Sequence, residues 1–447
     1  MPNVSYSKVQ SAVTQSDLPS IAQLMYWLML RNVASEGIVY TDPKPPNGVS
    51  LPGCIVASPS YSTDEVSKTT QDYVYNWTRD SALAATEIVL SGPAAGDGAA
   101  RQRLVDYMNF ADTCQTNSGG DFSFAAYTIE GQPRQENWPH QNDGPALQTM
   151  AILLMFEQLD TETQDTARTV VQNNLDFLLN DDKYQKASTN LWEEVEGQSF
   201  FTRSAQLRCL TEIKKNAIGI AIPAGVDQAV DWLRNALDGH WNENDGYYVS
   251  ILNPVNPRDG YDPNIDVVLA SVYGAMPCTD SKILATAAKV RSQWSDPASL
   301  KAYPINLADE KIGLGPLMGR YPGDKYDGDN NDPTAKGHPW ALCTADFAEL
   351  YYCVAAAAAQ GNAVPYDDLS ATFFEQIGVN EQTSVGHTVQ LLKDAGDKML
   401  QALVWHSDHL ALSEQFDATT GFEKSVHDLT WSYAAFLSAV RARTAIP

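Results

Sequence analysis

Basic residues are scarce in this chain. Lys and Arg number 30 against 55 Asp and Glu, so the formal net charge at pH 7 is −25. Such a charge repels polyanions and removes the counterion release that drives binding to nucleic acids. The composition therefore excludes nucleic acid as a partner.

Long apolar runs are missing as well. The longest near-apolar stretch, residues 21–30, is far shorter than the roughly 18 residues that cross a bilayer, and no charged-then-apolar leader opens the sequence. We therefore expect no membrane segment. With 44% hydrophobic and 19% charged residues, the composition is that of a soluble globular protein with a large core.

The six cysteines form no Cys-x-x-Cys pair, which excludes a local zinc ribbon or redox motif. We expect structural thiols at all six positions, namely Cys54, Cys114, Cys209, Cys278, Cys343 and Cys353. No glycine-rich phosphate loop follows a strand, so a nucleotide or nicotinamide site is not indicated. The sequence predicts neither a cofactor nor a metal ion.

Strands are hard to find, whereas apolar residues recur at helical spacing along the whole chain. The pattern predicts about a dozen helices, separated by stretches rich in Gly, Pro and Asp that stop helices. The predicted helices cover residues 9–33, 79–90, 101–114, 145–159, 163–179, 199–214, 225–237, 265–275, 281–294, 340–359, 384–406 and 427–443.

Helices paired at intervals of about 30 to 40 residues indicate helical hairpins, which either stack as a solenoid or close into a barrel. No internal sequence repeat is visible, and this favours the barrel. We predict an all-α fold of helical hairpins in a single domain over residues 1–447.

The loops between the predicted helices are rich in Trp, Tyr and carboxylates. Apolar faces of a sugar ring pack on aromatic rings, and sugar hydroxyls are gripped by carboxylates and guanidinium groups. One isolated Trp is better explained as core, but five such loops together indicate a sugar site. The loops are YVYNWTRD (73–80), NWPHQNDG (137–144), NLWEEV (190–195), GRYP (319–322) and SEQFD (413–417).

Cleavage of a glycosidic bond requires one carboxylic acid and one carboxylate acting as base or nucleophile. Glu193 and Glu194 are adjacent and point in different directions on most backbones, so one of them needs a distant partner. Glu414 fits that role by its pattern alone, although a solvated surface carboxylate is the simpler interpretation of an isolated Glu.

Several of these segments, in the same order, resemble the signature loops of glycoside hydrolase family 15, the glucoamylases. The resemblance runs from about residue 53 to the last helix. The matching stretches are IVASPS (55–60), YNWTRDS (75–81), QNDGPAL (141–147), LWEEV (191–195), SFFT (199–202), GRYP (319–322), PW (339–340), LCT (342–344), EQFD (414–417) and DLTWSYAA (428–435).

The resemblance implies an α/α barrel of six inner and six outer helices. It also implies that Glu193 is the general acid and Glu414 the general base of an exo-acting hydrolysis that inverts the anomeric carbon and releases β-glucose. The implied substrate is a starch-type glucan with terminal α-1,4 linkages, with some α-1,6 cleavage. We expect a monomer; the compartment is unknown from the sequence, and the resemblance favours a secreted or periplasmic location.

By the same resemblance, the implied substrate-binding residues fall into two groups. The first clamps the hydroxyls of the terminal glucose and comprises Arg79, Asp80, Arg320, Glu194 and the Trp192 backbone. The second shapes a blind pocket and comprises Tyr73, Trp77, Trp138, Trp340 and Trp431. A pocket closed at one end explains why single units are removed from chain ends.

This chain departs from the family pattern at three places. Asn190 stands where many relatives have Asp, which removes a negative charge near Glu193. The segment from Trp138 to Asp143 is one residue shorter than usual. An Asp-rich loop, residues 324–332, is longer than in typical relatives and is interpreted as a solvated rim in preference to a calcium site.

No starch-binding module is recognisable, so we expect a preference for soluble oligosaccharides. Two alternatives stay open: an enzyme that prefers isomalto-oligosaccharides, and a catalytically silent sugar-binding or regulatory barrel.

Overall fold

Alternating outer and inner helices organise the chain. The computed structural model describes residues 17–35, 37, 39–41, 48–61, 71–92, 98–134, 138–215, 218–328 and 337–447. Within these ranges the α-helices are α1 Leu18–Met29, α2 Thr78–Leu90, α3 Gly98–Asn117, α4 Gly144–Met155, α5 Thr161–Leu179, α6 Phe200–Lys215, α7 Val226–Asp238, α8 Asp266–Val272, α9 Ser281–Ser295, α10 Pro304–Asp309, α11 Ala341–Gly361, α12 Ala371–Glu375, α13 Val385–His406 and α14 Thr430–Thr444.

Six of these helices pack side by side into a closed ring, in the order α2, α4, α6, α8, α11, α14 and back to α2. Six others pack around the ring, each against an inner helix: α1 on α14, α3 on α2, α5 on α4, α7 on α6, α9 on α8 and α13 on α11. The predicted all-α barrel of six inner and six outer helices is confirmed.

Helix ends follow from local sequence. Asp160, Asp280 and Ser384 cap α5, α9 and α13 by accepting hydrogen bonds from backbone N–H groups of the first turn, as N-cap side chains do. Helix α11 ends at Asn362, whose φ of 47° is the left-handed conformation common after helix C-termini. Short α10 and α12 were not predicted, because five or six residues are too few to show a period.

The inner helices are buried on most sides, because the ring and its outer layer enclose them. Helix α11 is long and apolar enough to cross a membrane by length and composition, but 83% of its apolar window is buried inside the barrel, as in a core helix. Residues 9–16 of the first predicted helix lie outside the described residues.

The strands in the described ranges are only two to four residues long. They form the pairs β1 (Asn76–Trp77) with β2 (Ala126–Tyr127), β3 (Ser188–Thr189) with β4 (Glu196–Ser199), β4 with β7 (Ile251–Leu252), β5 (Trp241–Asn242) with β6 (Tyr247–Tyr248), and β8 (Gln415–Phe416) with β9 (Glu423–Lys424). All are antiparallel, and several brace the loops that precede inner helices.

The ring closes between the two ends of the chain. The amide of Asn32 donates to Thr430 Oγ1 at 2.8 Å, and Thr430 N and Oγ1 donate to the carbonyls of Ala57 at 2.8 Å and Val56 at 2.6 Å. These bonds fix the start of α14 beside the start of α2. Residues that are far apart in sequence therefore share one end of the barrel.

Candidate active site

A cavity of about 220 Å³ opens at the end of the barrel where the inner helices begin. Helices α2, α11 and α14 each contribute residues of their first turn to it. The cavity is lined by Gln71, Tyr73, Trp77, Arg79, Asp80, Trp138, Leu191, Trp192, Glu193, Glu194, Arg320, Tyr326, Trp340, Leu342, Glu414, Leu429 and Trp431. Every residue predicted to be catalytic or substrate-binding is in this lining.

Glu193 sits on a tight turn between β3 and β4. Its backbone N–H donates to Asn190 O at 2.9 Å, and Asn190 Oδ1 accepts from the N–H groups of Glu194 and Val195 at 3.0 and 3.1 Å. Glu193 itself has a φ of +62°, a left-handed conformation that is uncommon for a residue with a side chain. Such conformations are found at functional sites, where the surroundings hold the residue in place.

The Glu193 carboxyl is buried beside an indole N–H donor and a guanidinium group. Trp77 Nε1 donates to its Oε1 at 2.5 Å, and Arg79 Nη2 lies 3.8 Å from the same oxygen. Burial raises the pKa of Glu193 to about 7, although the charge of Arg79 and the bond from Trp77 oppose the rise. The group therefore carries a proton well into the neutral range.

Glu414 immediately precedes β8, and the β8–β9 hairpin carries a partner opposite it. Tyr73 Oη donates to Glu414 Oε1 at 2.9 Å, and Ser425 Oγ donates to Oε2. Burial raises the pKa of Glu414, while the hydroxyls of Ser425, Tyr73 and Tyr326 favour its ionised form. Two donated hydrogen bonds suit a carboxylate better than a neutral acid.

Arg79 and Asp80 lie in the first turn of α2. Arg79 Nη1 donates to Gln141 Oε1 at 3.0 Å and to Asp143 Oδ2 at 3.1 Å, and its Nε lies 3.3 Å from Asp80 Oδ1. That Asp80 oxygen accepts no hydrogen bond from the described residues. Burial raises the pKa of Asp80 to about 6. This oxygen is therefore a buried acceptor whose partner is the Arg79 guanidinium, in an ion pair without a hydrogen bond.

On the opposite side, Arg320 is held in a forked pair with Asp324, with Nε–Oδ2 and Nη2–Oδ1 distances of 2.8 and 2.7 Å. Arg320 Nη2 also donates to Glu194 Oε1 at 3.1 Å, and Tyr321 Oη donates to Glu194 Oε2 at 2.5 Å. Arg258 Nη1 lies 3.2 Å from Glu194 Oε1. The Glu194 carboxylate is therefore paired with Arg320 and Arg258, whereas Glu193 contacts Trp77 and Arg79. The two adjacent side chains have different partners.

The aromatic walls are fixed by hydrogen bonds at their outer edges. Trp192 Nε1 donates to Asn264 Oδ1 at 3.0 Å, and Trp431 Nε1 donates to Tyr273 Oη at 3.2 Å. The Trp431 ring lies under Arg79, whose guanidinium carbon is 5.1 Å from the ring centroid. Trp340 Nε1 is buried without a partner among the described residues, so it is open to a ligand acceptor.

Sequence reasoning missed several residues of the site. Tyr326 and Gln71 line the cavity, Ser425 donates to Glu414, and Asn264 and Tyr273 orient the tryptophans. Tyr326 lies within the Asp-rich loop, where only its aromatic ring could have signalled a role. Ser425 carries no local signal, because its position depends on the register of the β8–β9 pair.

The Asp-rich loop is described only up to residue 328, and its residues 329–332 lie outside the described residues. Asp324 is engaged by Arg320. Among the described residues, no group of three or more His, Cys, Asp or Glu side chains is arranged to hold a metal ion.

Comparison with known proteins identifies the family of the chain. The sequence profile described as "Glycosyl hydrolases family 15" matches residues 28–441. A probable glucoamylase of Schizosaccharomyces pombe is 29% identical, over 94% of this chain and 89% of that protein. Glucoamylase 1 of Rhizopus oryzae is 28% identical, over 94% of this chain and 71% of that protein.

Solved structures give the same result. The family 15 glucoamylase of Hypocrea jecorina superposes with a TM-score of 0.79 at 25% identity, covering 99% of this chain and 73% of that one. The Saccharomycopsis fibuligera glucoamylase, at 21% identity, shares the fold with a TM-score of 0.79 over 97% of this chain and 96% of that one. With the profile spanning nearly the whole barrel and its site, the chain belongs to glycoside hydrolase family 15, the family of the glucoamylases.

Proposed function

We propose that the protein removes single glucose units from the non-reducing ends of α-1,4-linked glucans, with some α-1,6 cleavage, and releases β-glucose. The observation that carries the proposal is the pairing, in one cavity, of two carboxyls in different environments. Burial raises the pKa of both groups, that of Glu193 to about 7, but only Glu414 receives two hydroxyl donors, which favour its ionised form. Pairs of titratable groups that differ in this way divide the acid and base roles.

In this proposal Glu193 protonates the glycosidic oxygen as the bond to the leaving sugar breaks. Glu414, whose ionised form is favoured by hydrogen bonds from Tyr73 and Ser425, takes a proton from a water molecule that attacks the anomeric carbon from the opposite face. Inversion requires space for that water, which corresponds to a carboxyl separation of roughly 6.5 to 9.5 Å. Both groups are restored by proton exchange after the products leave.

The remaining lining residues would position the terminal glucose. Asp80 Oδ1 is a buried acceptor that is ion-paired with Arg79 but accepts no hydrogen bond from the described residues, and Trp340 Nε1 is a buried donor that makes none with them. A sugar hydroxyl that satisfies such a group recovers the hydrogen bond that burial removed, which gives specificity for a polar ligand. Arg79 and Arg320 are already aligned by carboxylates and would not need to reorganise on binding.

The test is to incubate the protein with maltose, isomaltose and maltoheptaose and to follow the anomeric protons by NMR. We expect rapid release of glucose from maltose and maltoheptaose, with the β-anomer appearing before mutarotation. Early α-anomer would overturn the inverting mechanism. Faster cleavage of isomaltose than of maltose would replace the α-1,4 assignment, and absence of turnover on all three would favour a silent sugar-binding barrel.

A further inference from the structure

Arg134 is enclosed by aromatic rings beside the cavity. Its guanidinium carbon lies 3.7 Å from the centroid of the Trp138 ring and 4.1 Å from that of Tyr75. The Trp77 ring is farther away, at 6.0 Å. Arg134 is not among the residues that line the cavity, so it would act on a ligand through its neighbours.

Among the described residues, ring stacking holds this guanidinium and no ion pair does. Its Nε and Nη1 are buried and have no hydrogen-bond partner among the described residues. A planar guanidinium stacks on ring faces in a way that an ammonium group cannot reproduce. The rings of Trp138 and Tyr75 therefore hold the guanidinium of Arg134, which packs against both of them.

Trp138 depends on this contact for its orientation. Its own Nε1 is buried without a partner among the described residues, unlike the hydrogen-bonded indoles of Trp192 and Trp431. Its other ring contact is an edge-to-face one with Trp77, at 5.9 Å between centroids. Arg134 is thus the principal group that fixes the plane of Trp138.

Trp138 and Trp77 lie on the side of the cavity that holds the proposed acid. Trp77 donates to Glu193, and a general acid must reach the oxygen that joins the first glucose to the second. On the proposed mechanism, the rings of Trp77 and Trp138 would border the second glucose, and Arg79 and Asp80 would hold the first.

We propose that Arg134 is a positioning residue that fixes Trp138 against the second glucose of the substrate and so sets how tightly the leaving sugar is held. This inference rests on the proposed glucan hydrolysis. It assigns no contact between Arg134 and the sugar. It predicts that Arg134 affects substrates that have a second sugar and leaves those that lack one unchanged.

The experiment compares Arg134→Lys and Arg134→Met with the wild type on maltose and on α-glucosyl fluoride, which has no second sugar. Both variants lose the planar stack, so KM for maltose should rise about fivefold with little change in kcat. Measured at pH 5, below the basic limb, kinetic constants for α-glucosyl fluoride should stay within about twofold. Arg101→Met, at an exposed position of α3, is the matched control. It should change the kinetic constants for neither maltose nor α-glucosyl fluoride.

A second readout separates charge from shape. The positive charge of Arg134 lowers the pKa of Glu193, so Arg134→Met should move the basic limb of the maltose pH profile upward, whereas Arg134→Lys should leave it in place. A purely structural role would not distinguish the two variants in this way. Equal losses on both substrates, or normal maltose kinetics in both variants, would overturn the proposal.

If the wild type cleaves neither substrate, the proposed function fails on its own. The inference about Arg134 is then decided by a crystal structure of Arg134→Met. Displacement or disorder of the Trp138 ring would support the positioning role, and an unchanged ring would overturn it.

Discussion

Trp77 Nε1 donates a 2.5 Å hydrogen bond to Glu193 Oε1, joining the start of α2 to the turn between β3 and β4. The bond is one of the influences that hold the pKa of Glu193 down against burial. It also fixes the carboxyl relative to Arg79, which lies 3.8 Å from the same oxygen. The indole is therefore an electrostatic element of the site as well as part of its wall.

Trp77→Phe should shift the basic limb of the kcat/KM profile to higher pH. The reason is that removing a donor to the ionised form raises the pKa of Glu193, so the acid stays protonated to a higher pH. We expect the limb, near pH 7 in the wild type from the pKa of about 7, to move up by about half a unit or more. A limb that stays in place or moves to lower pH would contradict the role assigned to this bond.

Glu193→Gln and Glu414→Gln should each lower kcat by about 100-fold or more, because an acid and a base each contribute on that scale. Initial rates on maltose check this. Glu196→Gln is a suitable control, since Glu196 lies on the same segment but is exposed. Near-normal turnover in either active-site variant would remove that residue from the mechanism.

The pKa of Glu193 also has a consequence for stability. Its value is about 7 in the folded chain and about 4.5 for the free side chain, so the native state favours the protonated form. The stability this gives is present below about pH 4.5 and is lost as the pH rises to about 7. Glu193→Gln removes the contribution of this group to the pH dependence of stability.

Relative to the wild type, the Gln variant should therefore gain stability as the pH rises, by roughly 3 kcal/mol at pH 8. Urea unfolding of both proteins at pH 4 and pH 8 measures the difference. If the difference in free energy of unfolding between the two proteins is the same at both pH values, burial does not raise the pKa of Glu193.

Asp80→Asn should lower kcat/KM by about 10- to 100-fold while changing Tm by no more than a few degrees. Burial disfavours the charge of Asp80, as its raised pKa shows, so removing that charge offsets much of the ion pair with Arg79 that the amide loses in the folded state. With substrate, the charged acceptor for a sugar hydroxyl is lost. A large fall in Tm with little kinetic change would instead assign Asp80 to stabilising the start of α2.

The fold could be predicted because helical periodicity extends over whole helices, and the closed barrel followed from hairpins without a repeat. The cavity residues could be found because they cluster in motifs next to helix starts, such as Arg79 and Trp431. The residues that hydrogen-bond to these cavity residues could not be found from the sequence. Ser425 reaches Glu414 through strand register, and Asn264 reaches Trp192 across 72 residues of chain. Such pairings depend on tertiary packing, which leaves no local pattern.

The closure of the ring by Asn32 and Thr430 governs when the site can exist. During synthesis the proposed acid, Glu193, leaves the ribosome long before the hairpin that carries Glu414 and the helix that carries Trp431. Helix α14 packs against both α2 and α11, so without it the ring is open and the cavity lacks the wall that Trp431 provides. We therefore expect the proposed active site to be complete only after the final helix has docked.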